Sequence, residues 1–226
     1  MSLMMQILTN VGMTNMTQMT LRARTIEAMG YMIEAVQNDK DSFKGQVAEI
    51  TKTLVQLLNS GLTNDDPQTL AIKETLAKTA AVLKEEFHVF MPTLMTSLVN
   101  DAKLDIDIKM GQAEDPLTGK NDQTTSVTFK LKGLEGNQRI SMNTSALESK
   151  ISAFKLVHMI ADNMGASFTP YVEHLLPLMV EYMNYMFSKA IRKSAMKTLN
   201  CILTAVGKPN NVTIFMSLYA NFSTMI

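Results

Sequence analysis

The chain has 226 residues, 46% of them apolar, and its 21 basic and 21 acidic side chains balance to zero net charge. That length supports one or two globular cores or a short repeat array, and neutrality removes the electrostatic footprint expected of a nucleic-acid binder. No stretch approaches the roughly 20 uncharged apolar residues of a membrane span, and no basic-then-apolar secretory leader is visible. Neither nucleic acid nor a membrane is therefore expected as a partner. The single cysteine, Cys201, excludes a disulfide framework and fits a reducing compartment. It lies among Leu199 and Ile202, with no histidine nearby in sequence, and reads as a small buried hydrophobe. Twenty methionines and no tryptophan are unusual, and at helical spacing such methionines fill a core.

Met1-Ser2-Leu3 running directly into Met4 reads as a leader joined to an internal piece of a longer protein. Helical periodicity then dominates. Residues 20–37 carry Leu21, Ile26, Met29, Met32, Ile33 and Val36 behind a capping-type Thr20. A second helix, 46–62, places Val47, Ile50, Leu54, Leu57 and Leu58 on one face. The turn 63–67 ends in Pro67, which suits the first turn of a helix over 68–86 with Leu70, Leu76, Ala80 and Leu83 inward. A further helix spans 88–104.

Residues 109–145 break the pattern with Gly111, Pro116, Gly119, Gly133 and Gly136. Within them Val127, Phe129 and Leu131 alternate with polar residues, as do Ile140 and Met142. This predicts a two-stranded hairpin, 126–132 with 138–143, which must lean on helices beside it. Helices resume over 146–164, 169–187 and 189–206, with a last one from about 211; Gly165 and Gly207 suit C-caps.

In the second helix of each pair a basic residue precedes a small one by three or four positions: Arg24 and Ala28, Lys73 and Ala77, Lys150 and Ala153, Arg192 and Ala195. The basic residues are 49, 77 and 42 positions apart, and the long interval exceeds the last by 35, close to the 37 residues of 109–145. Without that insertion the spacing fits the roughly 40–47-residue period of HEAT-type helix pairs. The expected fold is an all-α HEAT-repeat superhelix of about four repeats, a single solenoid over 1–226 with one hairpin-bearing insertion at 109–145. The small residue lets helices approach, and the basic residue can reach an acid such as Asp39, Asp65 or Asp66.

No catalytic or metal constellation is expected. Asp105, Asp107, Glu114 and Asp115 do not form an EF-hand, because Lys109 stands where an oxygen ligand is needed. His88, His158 and His174 are scattered over different helices without metal-ligand spacing. Nucleotide-binding and nucleophile-elbow motifs are absent from the sequence, so no cofactor and no enzymatic activity are expected.

Several segments, taken in order, resemble the importin-beta (karyopherin-beta) superfamily, most closely its importin beta-3 type. They are Leu21-Arg22-Ala23-Arg24-Thr25-Ile26-Glu27, Asp65-Asp66-Pro67-Gln68, and Lys84-Glu85-Glu86-Phe87 leading into Phe90-Met91-Pro92-Thr93-Leu94-Met95. Leu147-Glu148-Ser149-Lys150, placed straight after the insertion, and Tyr171-Val172-Glu173-His174 through Leu178-Met179-Val180 continue the likeness. The resemblance implies a nuclear transport receptor shuttling between cytoplasm and nucleus. Its second helices would face cargo proteins and the Ran GTPase, and its outer first helices would offer apolar slots for phenylalanine-glycine repeats of nucleoporins. Contact residues are expected among exposed polar positions of the second helices: Glu27, Glu34, Lys78, Lys155, Arg192 and Lys193. The piece is expected to be monomeric and to come from the middle-to-late repeats of the family. Unlike that acidic family, this chain is neutral, and 188–206 carries four basic residues and no acidic one, which suits an acidic partner. The alternative is an unrelated helical scaffold, such as a phosphatase scaffold subunit, but the interruption at 109–145 disagrees with the uniform repeats of such proteins.

Overall fold

The computed structural model describes residues 2–10, 15–63, 66–106, 109–112, 124–129, 138–185 and 188–206, together with 212 and 216. Among the described residues eight α-helices follow in order: α1 (Ser2–Thr9), α2 (Met16–Ala35), α3 (Lys40–Leu58), α4 (Pro67–Leu83), α5 (Met91–Lys103), α6 (Thr144–Met164), α7 (Val172–Met183) and α8 (Lys189–Val206). Short polar side chains start three of them. Asn15 Oδ1 accepts from Gln18 N at 2.8 Å, Asp66 Oδ1 from Gln68 N at 2.8 Å, and Asn143 Oδ1 from Ala146 N at 3.1 Å. The expected cap Thr20 lies inside α2 instead, its hydroxyl donating to Met16 O at 2.8 Å.

The even-numbered helices stack side by side, α2 on α4, α4 on α6 and α6 on α8, while α1, α3, α5 and α7 back α2, α4, α6 and α8 respectively. The molecule is thus a two-layered, HEAT-type stack of helix pairs. Bonds between even helices hold their layer together. Thr75 Oγ1 donates to Ile26 O at 3.1 Å, Asn163 Nδ2 to Ala77 O at 3.0 Å, and Thr198 Oγ1 to Phe154 O at 3.0 Å. Gly30 permits the α2–α4 approach, since a Cβ there would stand 2.9 Å from Thr75 Oγ1.

Three residues expected inward face solvent: Leu21 (52% exposed), Met32 (41%) and Leu70 (46%). A helix in the middle of a layer has neighbours on both flanks and one behind, so its buried arc is wide and takes in polar residues. In α4, Gln68, Thr69, Lys73, Thr75 and Thr79 are all buried beside Ile72, Leu76 and Ala80. The apolar stripe is blurred, and single positions cannot be assigned from period alone.

Two 3₁₀ segments, Lys84–Val89 and Gly165–Tyr171, replace α-helical turns expected around α4, α5 and α7. Each opens on a residue with positive φ, Lys84 at 51° and Gly165 at 57°, and each buries a phenylalanine three residues later, Phe87 and Phe168. Nothing surrounds a Cβ added at Gly165, so Gly165→Ala should cost only the backbone term. We expect about 1–3 kcal/mol, read as a lower urea midpoint with an unchanged slope.

The insertion belongs to the α5–α6 pair rather than lying between pairs. Its backbone strands are β1 (Lys109–Gln112), β2 (Thr124–Phe129) and β3 (Gln138–Asn143), an antiparallel sheet in the order β1-β3-β2. Ser126 pairs with Ser141, and Met110 with Ile140. The sequence expectation named two strands; the third, β1, has no alternation to reveal it. Residues 130–132 of the expected hairpin, and most of the helix expected from 211, lie outside the described residues. Asn143 N donates to Ile106 O at 2.9 Å, closing the insertion at its base so that α5 and α6 can still pack together.

Candidate protein-interaction surface

Each even helix carries one basic residue that fastens the C-terminal end of an odd helix, where carbonyls lack partners and the dipole favours cations. The Arg22 guanidinium on α2 donates to Asn10 O just past α1. Lys73 on α4 meets Asp101 Oδ2 of α5 at 2.6 Å. Lys150 on α6 donates to Ala102 O of α5 and, at 2.8 Å, to the Tyr182 hydroxyl of α7. Arg192 Nη1 on α8 donates to Tyr185 O, just past α7, at 2.6 Å.

The sequence reading named Arg24 for the first of these roles. It is instead 74% exposed and ion-paired with Glu27 at 2.8 Å, so the register shifts to Arg22. The acidic partner of Lys73 is Asp101, not Asp39 or Asp66. Asp39 accepts from the Ser42 hydroxyl, Asp66 caps α4, and Asp65 lies outside the described residues.

Burial shapes these anchors. It pushes the Asp101 carboxyl up, with Lys73 pulling the other way, and it lowers Lys150, opposed by Glu181 and Asp105. It also holds the Tyr182 phenol up at about 12, with Glu181 and Tyr185 adding to the effect. Because the folded value exceeds the ordinary 10.0, the neutral phenol's contribution to stability is complete below pH 10 and is lost as pH rises towards 12. Ultraviolet titration should therefore show a late tyrosinate step near pH 12 that Tyr182→Phe removes.

The six expected contact residues fall into distinct settings. Glu27 is half-buried against Arg24, while Glu34 is exposed and pairs with Lys78 at 3.1 Å. Lys78 also lies 4.0 Å from the centroid of the exposed Tyr31 ring. The structure thus joins Glu34, Lys78 and Tyr31 across α2 and α4, and Tyr31 was not singled out from sequence. Arg192 is half-buried on the end of α7; Lys155 and Lys193 are exposed on α6 and α8.

Lys155 borders a groove of about 590 Å³ between the N-terminal halves of α4 and α6, with Asp66, Leu70, Glu148 and Ser152 on its walls and Lys73 with Asp101 at its floor. The odd layer offers a different surface. Pro92, Met95 and Val99 of α5 face Tyr171, His174 and Leu175 across a groove of about 420 Å³. His88 Nδ1 lies 2.9 Å from the Tyr171 hydroxyl, fixing that wall. The even groove is rich in charged and hydroxyl groups, whereas the odd one is mainly apolar.

Cys201 is buried, its thiol donating to His158 O at 3.6 Å, and burial pushes the thiol up. Among the described residues no cluster of three His, Cys, Asp or Glu could hold a metal, and no helix is long and apolar enough to cross a membrane.

No protein-family model matches the chain. It is 22% identical over 219 residues, 94% of its length, to importin subunit beta-3 of Saccharomyces cerevisiae, of which it spans 20%. A crystal structure of Kap121p bound to Ste12p matches 99% of the chain and 20% of that protein, with TM-score 0.76 and 18% identity. Kap121p bound to RanGTP matches with TM-score 0.64 and 15% identity over 97% of this chain and 24% of that one. The fold of this chain is that of a stretch of importin-beta/karyopherin-type solenoid, about a fifth of the length of the relatives it matches.

Proposed function

We propose that this chain is a run of about four HEAT repeats from a nuclear transport receptor of the importin beta-3 type. The receptor binds cargo proteins, the GTP form of Ran and phenylalanine-glycine nucleoporins, and shuttles between cytoplasm and nucleus. The similarity that covers 94% of the chain carries this reading. The two layers support it with surfaces of the right chemistry. The even layer faces cargo and Ran through Glu27, Glu34, Lys78, Lys155 and Lys193, with Arg192 holding α8 in place. It acts by binding, not by catalysis.

The apolar groove between α5 and α7 takes a phenylalanine side chain of a nucleoporin repeat, wedged between Met95 or Val99 and Tyr171. Titrating the full-length protein with a labelled phenylalanine-glycine peptide tests this. Val99→Asp should weaken binding about tenfold, as should replacing the peptide's phenylalanines by serine. Binding that ignores both changes would remove the groove from the proposal, and no affinity for the repeats at all would remove the transport reading.

A further inference from the structure

The basic residues of α8 have no acidic counterweight on their own helix, unlike those of α2, α4 and α6, each of which carries both signs. Arg192 is used inside the fold, but Lys189, Lys193 and Lys197 are exposed and follow one another at i, i+4 and i+8, one ridge along the helix. Among the described residues no carboxylate lies within ion-pair distance of any of the three. Neighbours of like charge at i, i+4 repel, and Lys189 stands at the N-terminal end of α8, where the helix dipole disfavours cations. Nothing within the helix therefore accounts for the ridge.

Register decides where it points. Counted from the inward basic residue of each even helix, Lys193 and Lys197 occupy the positions of Glu74 and Lys78 on α4, and Lys197 that of Lys155 on α6. Helices α4 and α6 have even neighbours on both flanks, yet Glu74 and Lys155 stay exposed. Lys78 on α4, the counterpart of Lys197, is half-buried and paired with Glu34 of α2, whereas Lys197 itself is exposed and, like Lys155, has no such ion pair among the described residues. Since α6 packs on α8 and Lys155 shares its register with Lys197, a helix spacing of about 8–10 Å would set the exposed cations of the two helices side by side. Met196, 54% exposed, adds an apolar contact beside them.

We propose that Lys155, Lys193 and Lys197 form a docking patch for an acidic segment of a protein partner. The proposal refines the partner chemistry of the even layer and rests on the reading of that layer as the partner-facing one. A protein segment is favoured over nucleic acid because exposed Glu148 and Asp162 on α6 flank the patch and the whole chain is neutral; both oppose a continuous phosphate backbone. A short peptide can thread its carboxylates between them.

The test is fluorescence anisotropy of the full-length protein with a labelled Glu-Gly-Ser peptide and its Gln-Gly-Ser counterpart. The wild type should bind the glutamate peptide alone, with affinity falling as salt rises. Lys193→Glu with Lys197→Glu should weaken that binding at least about tenfold, whereas Lys52→Glu with Lys103→Glu, the same charge change on α3 and α5, should alter it less than about twofold. Melting temperatures of both variants establish that they fold. Equal weakening by the two pairs, no binding by the wild type, or tighter binding of a single-stranded oligonucleotide than of the glutamate peptide would each overturn the proposal. Undisturbed binding of Ran and of phenylalanine-glycine peptide in those cases would leave the transport reading standing.

Discussion

Asp101→Ala should destabilise the protein by about 3–5 kcal/mol, because it strands the Lys73 ammonium in the interior. Lys73 is buried at 3% exposure and its only acidic contact among the described residues is Asp101 Oδ2 at 2.6 Å. The opposite deletion should be milder and depend on pH. In Lys73→Met the Asp101 carboxyl, already raised by burial, can take up a proton and be buried neutral. With its folded pKa above the unfolded value, its favourable contribution is complete at acid pH and is lost as pH rises through the folded value towards neutrality. Lys73→Met should thus come nearest to wild-type stability in acid. The double change Lys73→Met with Asp101→Leu should recover wild-type stability or exceed it, since well-packed apolar pairs match or surpass buried ion pairs. Urea unfolding of the three variants at two pH values measures all of this; equal losses in both single variants at every pH would contradict it.

Phe168→Ala is the other large effect, expected at about 3–5 kcal/mol. The ring is fully buried, with its centroid 5.7 Å from that of Tyr171 and the 3₁₀ turn Gly165–Tyr171 wrapped around it. It pins the passage from α6 into α7. Phe87 holds the same station between α4 and α5, its centroid 6.1 Å from that of Phe90. Phe87→Ala should therefore cost a similar amount, and a loss below about 1 kcal/mol at either site would show that the two turns are not equivalent. Tyr171 also walls the groove between α5 and α7, so Phe168→Ala should weaken phenylalanine-glycine binding more than Phe87→Ala does.

Much of this fold is legible in the sequence because its signals are local. Pro67 after Asp66 announces the start of α4, and the basic-small spacing at Lys73, Lys150 and Arg192 marks the even helices. The 37-residue interruption at 109–145 shows itself as soon as the helical period is lost. What escaped is what depends on neighbours. Leu21 and Leu70 fit the apolar pattern yet face solvent, because a helix flanked on both sides buries lysines and threonines as well as leucines. Arg22 and Arg24 are two positions apart with identical chemistry, and only the place of α1 decides which is fixed inside.

The candidate surface was less legible than the fold. Lys73 and Asp101 are 28 residues apart on different helices, and no spacing rule connects them. Tyr31 joins Glu34 and Lys78 only once α2 lies on α4. The groove between α5 and α7 forms from Pro92, Met95 and Val99 of one pair and Tyr171 and His174 of the next, so neither segment alone suggests it. One trace was available in sequence: Phe87, four residues past the end of α4, is echoed by Phe168, four residues past the end of α6.

The most direct measurement is binding of Ran to the full-length protein in its two nucleotide states, with a cargo present. A transport receptor of this type should bind Ran loaded with GTP, ignore Ran loaded with GDP, and release cargo only in the first case. Equal binding of the two states, or binding of neither, would contradict the assignment to nuclear transport while leaving the helical solenoid intact.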